Sequence, residues 1–251
     1  MLDSLLFGLV DFDLISEGLL KEQAGEITDE LTVGEMKYST ILLPALETVR
    51  STTLDLLEKF ADMGGKVIFA GGCPTYVDGK PSNKAKALYE KSIHCRLTAY
   101  DMCNALEAER LVDIRLDDGT RTNNFIYNMR TEDDCDWLFI AHCTIQKPVT
   151  DSSHPQNLHI KIRGEYAPML YDTVNGEIKE ISYRVSDGFT YIDTLLYYHD
   201  SLMLRLNKHG SNCLLLPEIE AKKTVKTIDF KHKVKYARNE ENVLLLDRAR
   251  W

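Results

Sequence analysis

Tyr38-Ser39-Thr40-Ile41-Leu42-Leu43-Pro44 and Gly64-Gly65-Lys66-Val67-Ile68-Phe69-Ala70 bracket a segment of helical period, and together they decide the fold of the first part of the chain. Ile41-Leu42-Leu43 and Val67-Ile68-Phe69-Ala70 are unbroken apolar runs. That is the pattern of strands buried on both faces of a parallel sheet. Pro44 lacks the N–H that a ladder needs, so the first strand is expected to end there. Between the strands Leu54, Leu57 and Phe60, with Leu56 and Ala61 beside them, make an apolar stripe. Ser51 or Thr52 is expected to cap this helix, and Gly64-Gly65 to end it in left-handed backbone. Strand, helix, Gly-Gly, strand is a βαβ crossover, which predicts an α/β unit with a parallel sheet. Upstream, Leu5, Leu6, Leu9 and Val10 fit a short helical face, and Phe12 to Ile15 reads as extended. No further strand is evident before them, so the sheet is expected to be incomplete.

From about residue 111 the period changes from roughly 3.6 to 2. Val112, Ile114 and Leu116 alternate with Asp113, Arg115 and Asp117; Phe125, Tyr127 and Met129 form a second such row, and Trp137, Phe139 and Ala141 a third. Leu158, Ile160 and Ile162 interleave with His159, Lys161 and Arg163. Ile181, Tyr183 and Val185 interleave with Ser182 and Arg184, and Leu202, Leu204 and Leu206 with Met203 and Arg205. Asn175-Gly176, between Leu170-Tyr171 and Ile178, predicts a two-residue hairpin turn of type I′. Short alternating strands separated by turn residues predict an antiparallel β-sandwich. A helical bridge from Asn83 to Arg110, with Leu88, Ala99, Met102, Ala105 and Leu106 inward, joins the two parts. In the tail, Ile228, Phe230, Val234 and Tyr236 predict one more strand, and Val243 to Leu246 is a further apolar run.

Of the 251 residues, 44% are hydrophobic and 27% charged, an ordinary globular balance that excludes a disordered or fibrous chain. A formal charge of −9 supplies no field to gather a nucleic-acid backbone, so no nucleic-acid partner is expected. The lysines at 222, 223, 226, 231, 233 and 235 read as a solvated strand face or linker. No apolar run approaches the roughly 20 residues of a membrane span. Asp3, Asp11 and Asp13 at the start, with no basic segment, do not make a signal peptide, so a cytoplasmic location without a membrane partner is expected. Cysteines 73, 95, 103, 135, 143 and 213 are scattered, which predicts reduced thiols rather than a disulfide framework.

Each candidate for chemistry has a structural reading that outweighs it. Cys73 follows a buried strand, where nucleophile elbows sit, but Pro74 has no N–H to offer an oxyanion, and Thr75 replaces the second glycine of an amidotransferase elbow. Gly71-Gly72 lacks the surrounding spacing of a phosphate loop. His94-Cys95 with Cys103, and His142-Cys143 with Cys135, lack the paired spacing of a metal site. Asp117-Asp118-Gly119-Thr120 and the acids Asp133, Asp134 and Asp136 read as hairpin turns before they read as a glycosidase pair. Tyr191, Tyr197, Tyr198 and Trp137 read as core aromatics before sugar platforms.

Several segments, in order, resemble the later part of large bacterial glycoside hydrolases of the α-L-rhamnosidase type, family 106. They are Asp11-Phe12-Asp13-Leu14-Ile15, Tyr38 to Pro44, Glu47-Thr48 with its helix, Gly64 to Ile68, and Gly72-Cys73-Pro74. The resemblance implies a flavodoxin-like, class I amidotransferase-like domain beyond a catalytic barrel, with the sheet kept and the amidotransferase triad absent. Leu170-Tyr171-Asp172, Gly176-Glu177-Ile178 and Asp200-Ser201 resemble the sandwich that follows in those enzymes. Arg238 to Asp247 resembles the lead-in to their next module, a jelly-roll. The family's acid and base lie in the barrel, so the resemblance carries no catalytic residue onto this sequence.

The expected fold class is therefore α/β plus all-β: an incomplete flavodoxin-like parallel sheet with helical bridge (1–104), packed with an antiparallel β-sandwich (105–215), and a tail (216–251) entering a further module. The expected function is a non-catalytic scaffold of a glycoside hydrolase acting on rhamnose-type saccharides. Its expected partners are the barrel and jelly-roll modules, a saccharide, and a second copy of the chain covering an uncovered edge. The alternative is a stand-alone carbohydrate-binding or oligomerisation module. Open α/β sheets bind ligands beyond the carboxyl ends of their strands, which points to Glu17, Glu47, Thr48, Gly71 and Gly72. No metal and no cofactor are expected.

Overall fold

A computed structural model describes residues 1–143, 155–197, 200–210, 212–217, 225 and 235. The chain divides into two units, Met1–Ile219 and Glu220–Trp251. In the second only Val225 and Lys235 are described; the strand expected from Ile228 to Tyr236, the run Val243 to Leu246, and lysines 222, 223, 226, 231 and 233 lie outside the described residues, as does Tyr198 in the first.

The first unit opens with helices α1 (Leu2–Leu6) and α2 (Glu17–Gln23). Phe12 to Ile15 is not a strand: it has no sheet neighbour, and Leu14 and Ile15 are exposed. A three-stranded antiparallel sheet, β1 (Ala24–Ile27), β2 (Leu31–Val33) and β3 (Met36–Tyr38), follows in a stretch for which the sequence predicted no element.

Next come β4 (Thr40–Leu43), β5 (Thr48–Val49), helix α3 (Ser51–Asp62) and β6 (Lys66–Ala70). β4 and β6 are parallel, with Leu42 opposite Ile68, as the βαβ reading requires. The unbroken apolar run of β6 has a direct cause. Val67 and Phe69 pack with Leu54, Leu57 and Phe60 of α3, while Ile68 and Ala70 pack on the other face with Leu5, Val10, Met102 and Leu106. Gly64 ends α3 at φ +101°, the left-handed conformation expected there.

The bridge is not purely helical. β7 (Tyr76–Val77) and β8 (Lys80–Pro81) precede it, and within Asn83 to Arg110 it holds α4 (Ala85–Lys91), then β9 (Ile93–Cys95) and α5 (Ala99–Ala105). β9 adds a third parallel strand beside β6. Its three residues are too few, and too polar at His94, to register as a buried strand.

The sandwich strands are β10 (Val112–Arg115), β11 (Phe125–Thr131), β12 (Cys135–His142), β13 (Gln156–Arg163), β14 (Ala167–Tyr171), β15 (Ile178–Glu180), β16 (Tyr183–Ser186), β17 (Phe189–Leu196), β18 (Ser201–Asn207) and β19 (Cys213–Leu214). Among the described residues they form two five-stranded antiparallel sheets, β10-β13-β17-β16-β19 and β11-β12-β18-β14-β15. Ile114, Phe125, Leu138, Ile140, Leu158, Ile160, Ile192 and Leu204 fill the core between them. The fold is thus mixed α/β with a β-sandwich, as the sequence predicted.

Two local expectations are corrected. Trp137 and Phe139 point outward and Leu138 and Ile140 inward, because Trp137 to Ala141 is apolar on both parities and a one-residue slip exchanges the faces. Asn175-Gly176 is not a type I′ turn. Tyr171 pairs with Ile178 and only Gly176 has positive φ. The Asp172 carboxylate instead accepts from Val174 N–H and Asn175 N–H, building a longer loop. Within the sandwich, Asp187-Gly188 is a two-residue turn with both φ values positive, at 53° and 77°, joining β16 to β17.

Candidate functional site

At the N-terminus of α3, Glu17, Thr48, Val49, Arg50, Asp78 and Gly79 surround a cavity of about 320 Å³. Three short elements make it. Asp78 and Gly79, at φ 51° and 72°, form the tight turn between β7 and β8. β7 lies parallel to β5, which brings that turn alongside Thr48 and Val49. Asp78 N–H donates to Val49 O at 3.0 Å, and Gly79 N–H to Thr48 Oγ1 at 3.3 Å.

The first turn of a helix presents N–H groups with no partner inside the helix. Here neither Ser51 nor Thr52 supplies the cap: Arg50 occupies that position, and α3 has no hydrogen bond from a capping side chain of its own. Two carboxylates from outside the helix do the work. Glu17 Oε1 accepts from Arg50 N–H at 2.6 Å, and Asp78 Oδ1 accepts from Ser51 N–H at 3.0 Å. The Ser51 hydrogen bond holds the Asp78 carboxyl below its usual range, so it stays ionised beside the positive end of the helix. The cavity wall therefore combines anchored carboxylates with the Thr48 hydroxyl, a set able to accept hydrogen bonds from a polyhydroxylated ligand.

Of the five expected ligand contacts, Glu17 and Thr48 line this cavity and the other three do not. Glu47 is exposed, and its carbonyl accepts from Thr75 N–H and Tyr76 N–H. Gly71 is tied to β9 through N–H donation to Cys95 O, accepts from Tyr89 Oη–H, and presses against Ala45. Gly72 is exposed beside it. Asp78, Gly79 and Arg50 were missed, although Asp78-Gly79 is a hairpin-turn dipeptide.

The thiols have local partners. Burial, with Glu90 nearby, pushes the Cys73 thiol up, and its Sγ–H faces Pro74 O at 3.5 Å. His94 stacks on Tyr89 at 3.9 Å with its Nε2 against Tyr89 O, whereas Cys103 faces Ser4 O. Cysteines 73, 95, 103, 135 and 213 are in no disulfide. Among the described residues, Glu132, Asp134 and Cys135 are the one group of three ligand atoms within 4.8 Å of one another. Burial pushes the Cys135 thiol up, and Asp134 pairs with Arg205 at 2.6 Å, so the group reads as an ion-paired turn rather than a metal centre.

The acidic turns are likewise engaged. Asp118 accepts from Thr120 N–H and Oγ1–H, and Asp117 from Asn157 and His159. Asp136 is buried and accepts from Tyr166 Oη–H at 2.6 Å. Among the described residues, every carboxyl with a displaced proton affinity (Asp78, Asp101, Glu109, Asp113, Asp117, Asp118, Asp134 and Asp172) is displaced downward. A glycosidase general acid needs the opposite displacement.

No family model matches the chain, and no curated protein matches it in sequence. Its fold is similar to part of a rhamnosidase from Novosphingobium sp. PP1Y, with a TM-score of 0.59 and 18% identity over 83% of this chain and 21% of that one. It is also similar to part of alpha-L-fucosidase isoenzyme 2 from Paenibacillus thiaminolyticus, with a TM-score of 0.52 and 11% identity over 83% of this chain and 44% of that one. The chain thus corresponds to less than half the length of either protein.

Proposed function

We propose that this chain is a non-catalytic accessory region of a glycoside-hydrolase-related protein of the family 106 type, acting on rhamnose-type saccharides. The observation that carries the reading is the fold likeness itself: 83% of the chain aligns with a stretch making up only 21% of a rhamnosidase. Among the described residues, Asp113, Asp117 and Asp118 are each held ionised by their hydrogen-bond partners, which suits them to structural pairing rather than to proton donation. The parallel trio β4-β6-β9, with apolar residues packed on both faces of β6, supports a flavodoxin-like unit over 1–104, followed by a sandwich over 105–215 and a tail over 216–251. In this reading the two folded parts position a barrel and a jelly-roll module, and exposed edges are covered by those modules or by a second copy of the chain. Assay of the chain on aryl α-rhamnosides, fucosides and galactosides tests it. No turnover above background is expected, and turnover abolished by one carboxyl substitution overturns the reading.

The convergence of Glu17 and Thr48 on one cavity favours a second reading, a saccharide-binding module. It predicts saturable binding of a neutral monosaccharide that Thr48→Val weakens. A purely positioning role predicts no binding there.

A further inference from the structure

The outer face of the sheet β10-β13-β17-β16 carries a row of side chains set by register alone. Asp113 lies opposite Lys161, Lys161 opposite Tyr191, and Tyr191 opposite Arg184. Cross-strand partners on one face stand about 4.5–5.5 Å apart, so the row runs straight across four strands. A second row beside it is Arg115, His159 and Asp193. The two rows wall a cavity of about 350 Å³, within the size range of small-ligand sites.

The charges in this cavity are not balanced. Both oxygens of Asp113 are engaged, Oδ1 by Arg121 Nε at 2.7 Å and Oδ2 by Arg115 Nε at 2.8 Å. Asp193 is engaged by His159 Nδ1 at 2.6 Å. Lys161 and Arg184 have no carboxylate partner among the described residues. They lie instead on aromatic rings, Lys161 Nζ 3.8 Å from the Phe189 centroid and the Arg184 guanidinium 4.1 Å from the Tyr191 centroid. A ring holds a cation in place without neutralising it or using its N–H donors. In a chain of net charge −9, two fixed and uncompensated cations flanking one cavity are the complement of an anion.

We propose that this face binds a monosaccharide-sized ligand bearing one anionic group, a carboxylate or a phosphate ester, held between Lys161 and Arg184. Asp193 and His159, one row away, face its hydroxyls. The site lies on the sandwich, apart from the α3 cavity. Only the sugar body rests on the proposed glycan-related role; the anionic group does not.

Calorimetric titration of the full chain with glucuronate, glucose 6-phosphate, glucose and inorganic phosphate tests this. One of the two anionic sugars is expected to bind saturably, at least about tenfold tighter than glucose and less tightly at high salt. The arm that binds identifies the anion. Arg184→Gln and Lys161→Gln are each expected to weaken it about tenfold, and Arg184→Lys less, because it keeps the charge and loses the fork. Lys179→Gln, which removes the same charge from β15, leaves it unchanged. Absence of binding by either anionic sugar, glucose binding as tightly, or indifference of both Gln variants overturns the proposal. Inorganic phosphate binding as tightly as the sugar phosphate also overturns it, since the sugar body would contribute nothing. None of these results bears on the turnover assay, which tests the accessory role separately.

Discussion

Asp78 caps a helix that begins 27 residues before it: its Oδ1 accepts the Ser51 N–H at 3.0 Å while its own backbone, at φ 51°, makes the β7–β8 turn. One residue thus holds both the turn and the start of α3. Asp78→Ala removes the cap and leaves an alanine in left-handed backbone, and a fall in Tm of about 2–4 °C is expected. Asp78→Asn keeps a side-chain acceptor and a residue that tolerates this conformation, so its fall should be smaller. The folded carboxyl titrates below its ordinary value of 3.8. Its contribution is therefore present above that pH and is lost as pH falls through the folded pKa. The gap between the thermal melts of wild type and Asp78→Asn should hold steady above about pH 4 and narrow progressively as pH falls further; a constant gap down to pH 2 would contradict the ionised cap.

Gly71 is a packing residue. A β-carbon there would sit 2.7 Å from Ala45 Cβ, in backbone of φ +137°. Gly71→Ala is expected to cost about 1–3 kcal/mol in urea unfolding with an unchanged slope. Gly72→Ala, where nothing lies within 4 Å, should stay within about 0.5 kcal/mol. Ala45→Gly in the Gly71→Ala background should recover the steric part and leave the backbone strain. Equal effects at the two glycines would remove the packing argument.

What the sequence made legible follows from which signals are local. Leu54, Leu57 and Phe60 share a face by period alone, and β4 and β6 are apolar throughout because both faces are covered. β17 left no such trace. Thr190 and Thr194 stand on the inward parity with Ile192 and Leu196, and threonine reads as polar although Thr190 is fully buried. The α3 cap was illegible because its carboxylates come from Glu17 and Asp78, both distant in sequence. Fold-level analogy reached Glu17 and Thr48 but could not reach Arg50 or Asp78, whose positions depend on how β7 docks beside β5. On the outer sheet face, parity marked Lys161 and Arg184 as outward. Tyr191 was read as core because an aromatic gives no sign of which face it takes.

Thr190 links two strand ends inside the sandwich. Its Oγ1–H donates to Gly164 O at 2.8 Å, and the oxygen accepts Tyr166 N–H at 2.9 Å. Thr190→Val keeps the shape and leaves a half-buried carbonyl and amide without this partner, so a loss of about 1–3 kcal/mol is expected. Thr190→Ser keeps both hydrogen bonds and gives up one methyl, at about 1 kcal/mol. Chemical denaturation ranks the two variants. Valine no worse than serine would mean that the hydroxyl is not holding these groups.

His159 gives the sandwich face a pH dependence of known sign. Its Nδ1 meets Asp193 at 2.6 Å and its Nε2 meets Asp117 at 3.1 Å. The Asp193 hydrogen bond is the main cause of a pKa raised above 6.5, helped by Asp117 and opposed by partial burial. Arg115 and Lys161 are the cations that line the same cavity. A folded-state pKa raised above the unfolded one contributes stability fully present below the unfolded value and lost as pH rises through the folded value. His159→Gln should therefore melt below wild type at about pH 5.5 and together with it at about pH 9. NMR titration should place the imidazole above 6.5, with Asp193→Asn lowering it more than Asp117→Asn. An unshifted imidazole, or a melting gap that widens toward pH 9, would show that the two carboxylates do not hold the proton on this ring.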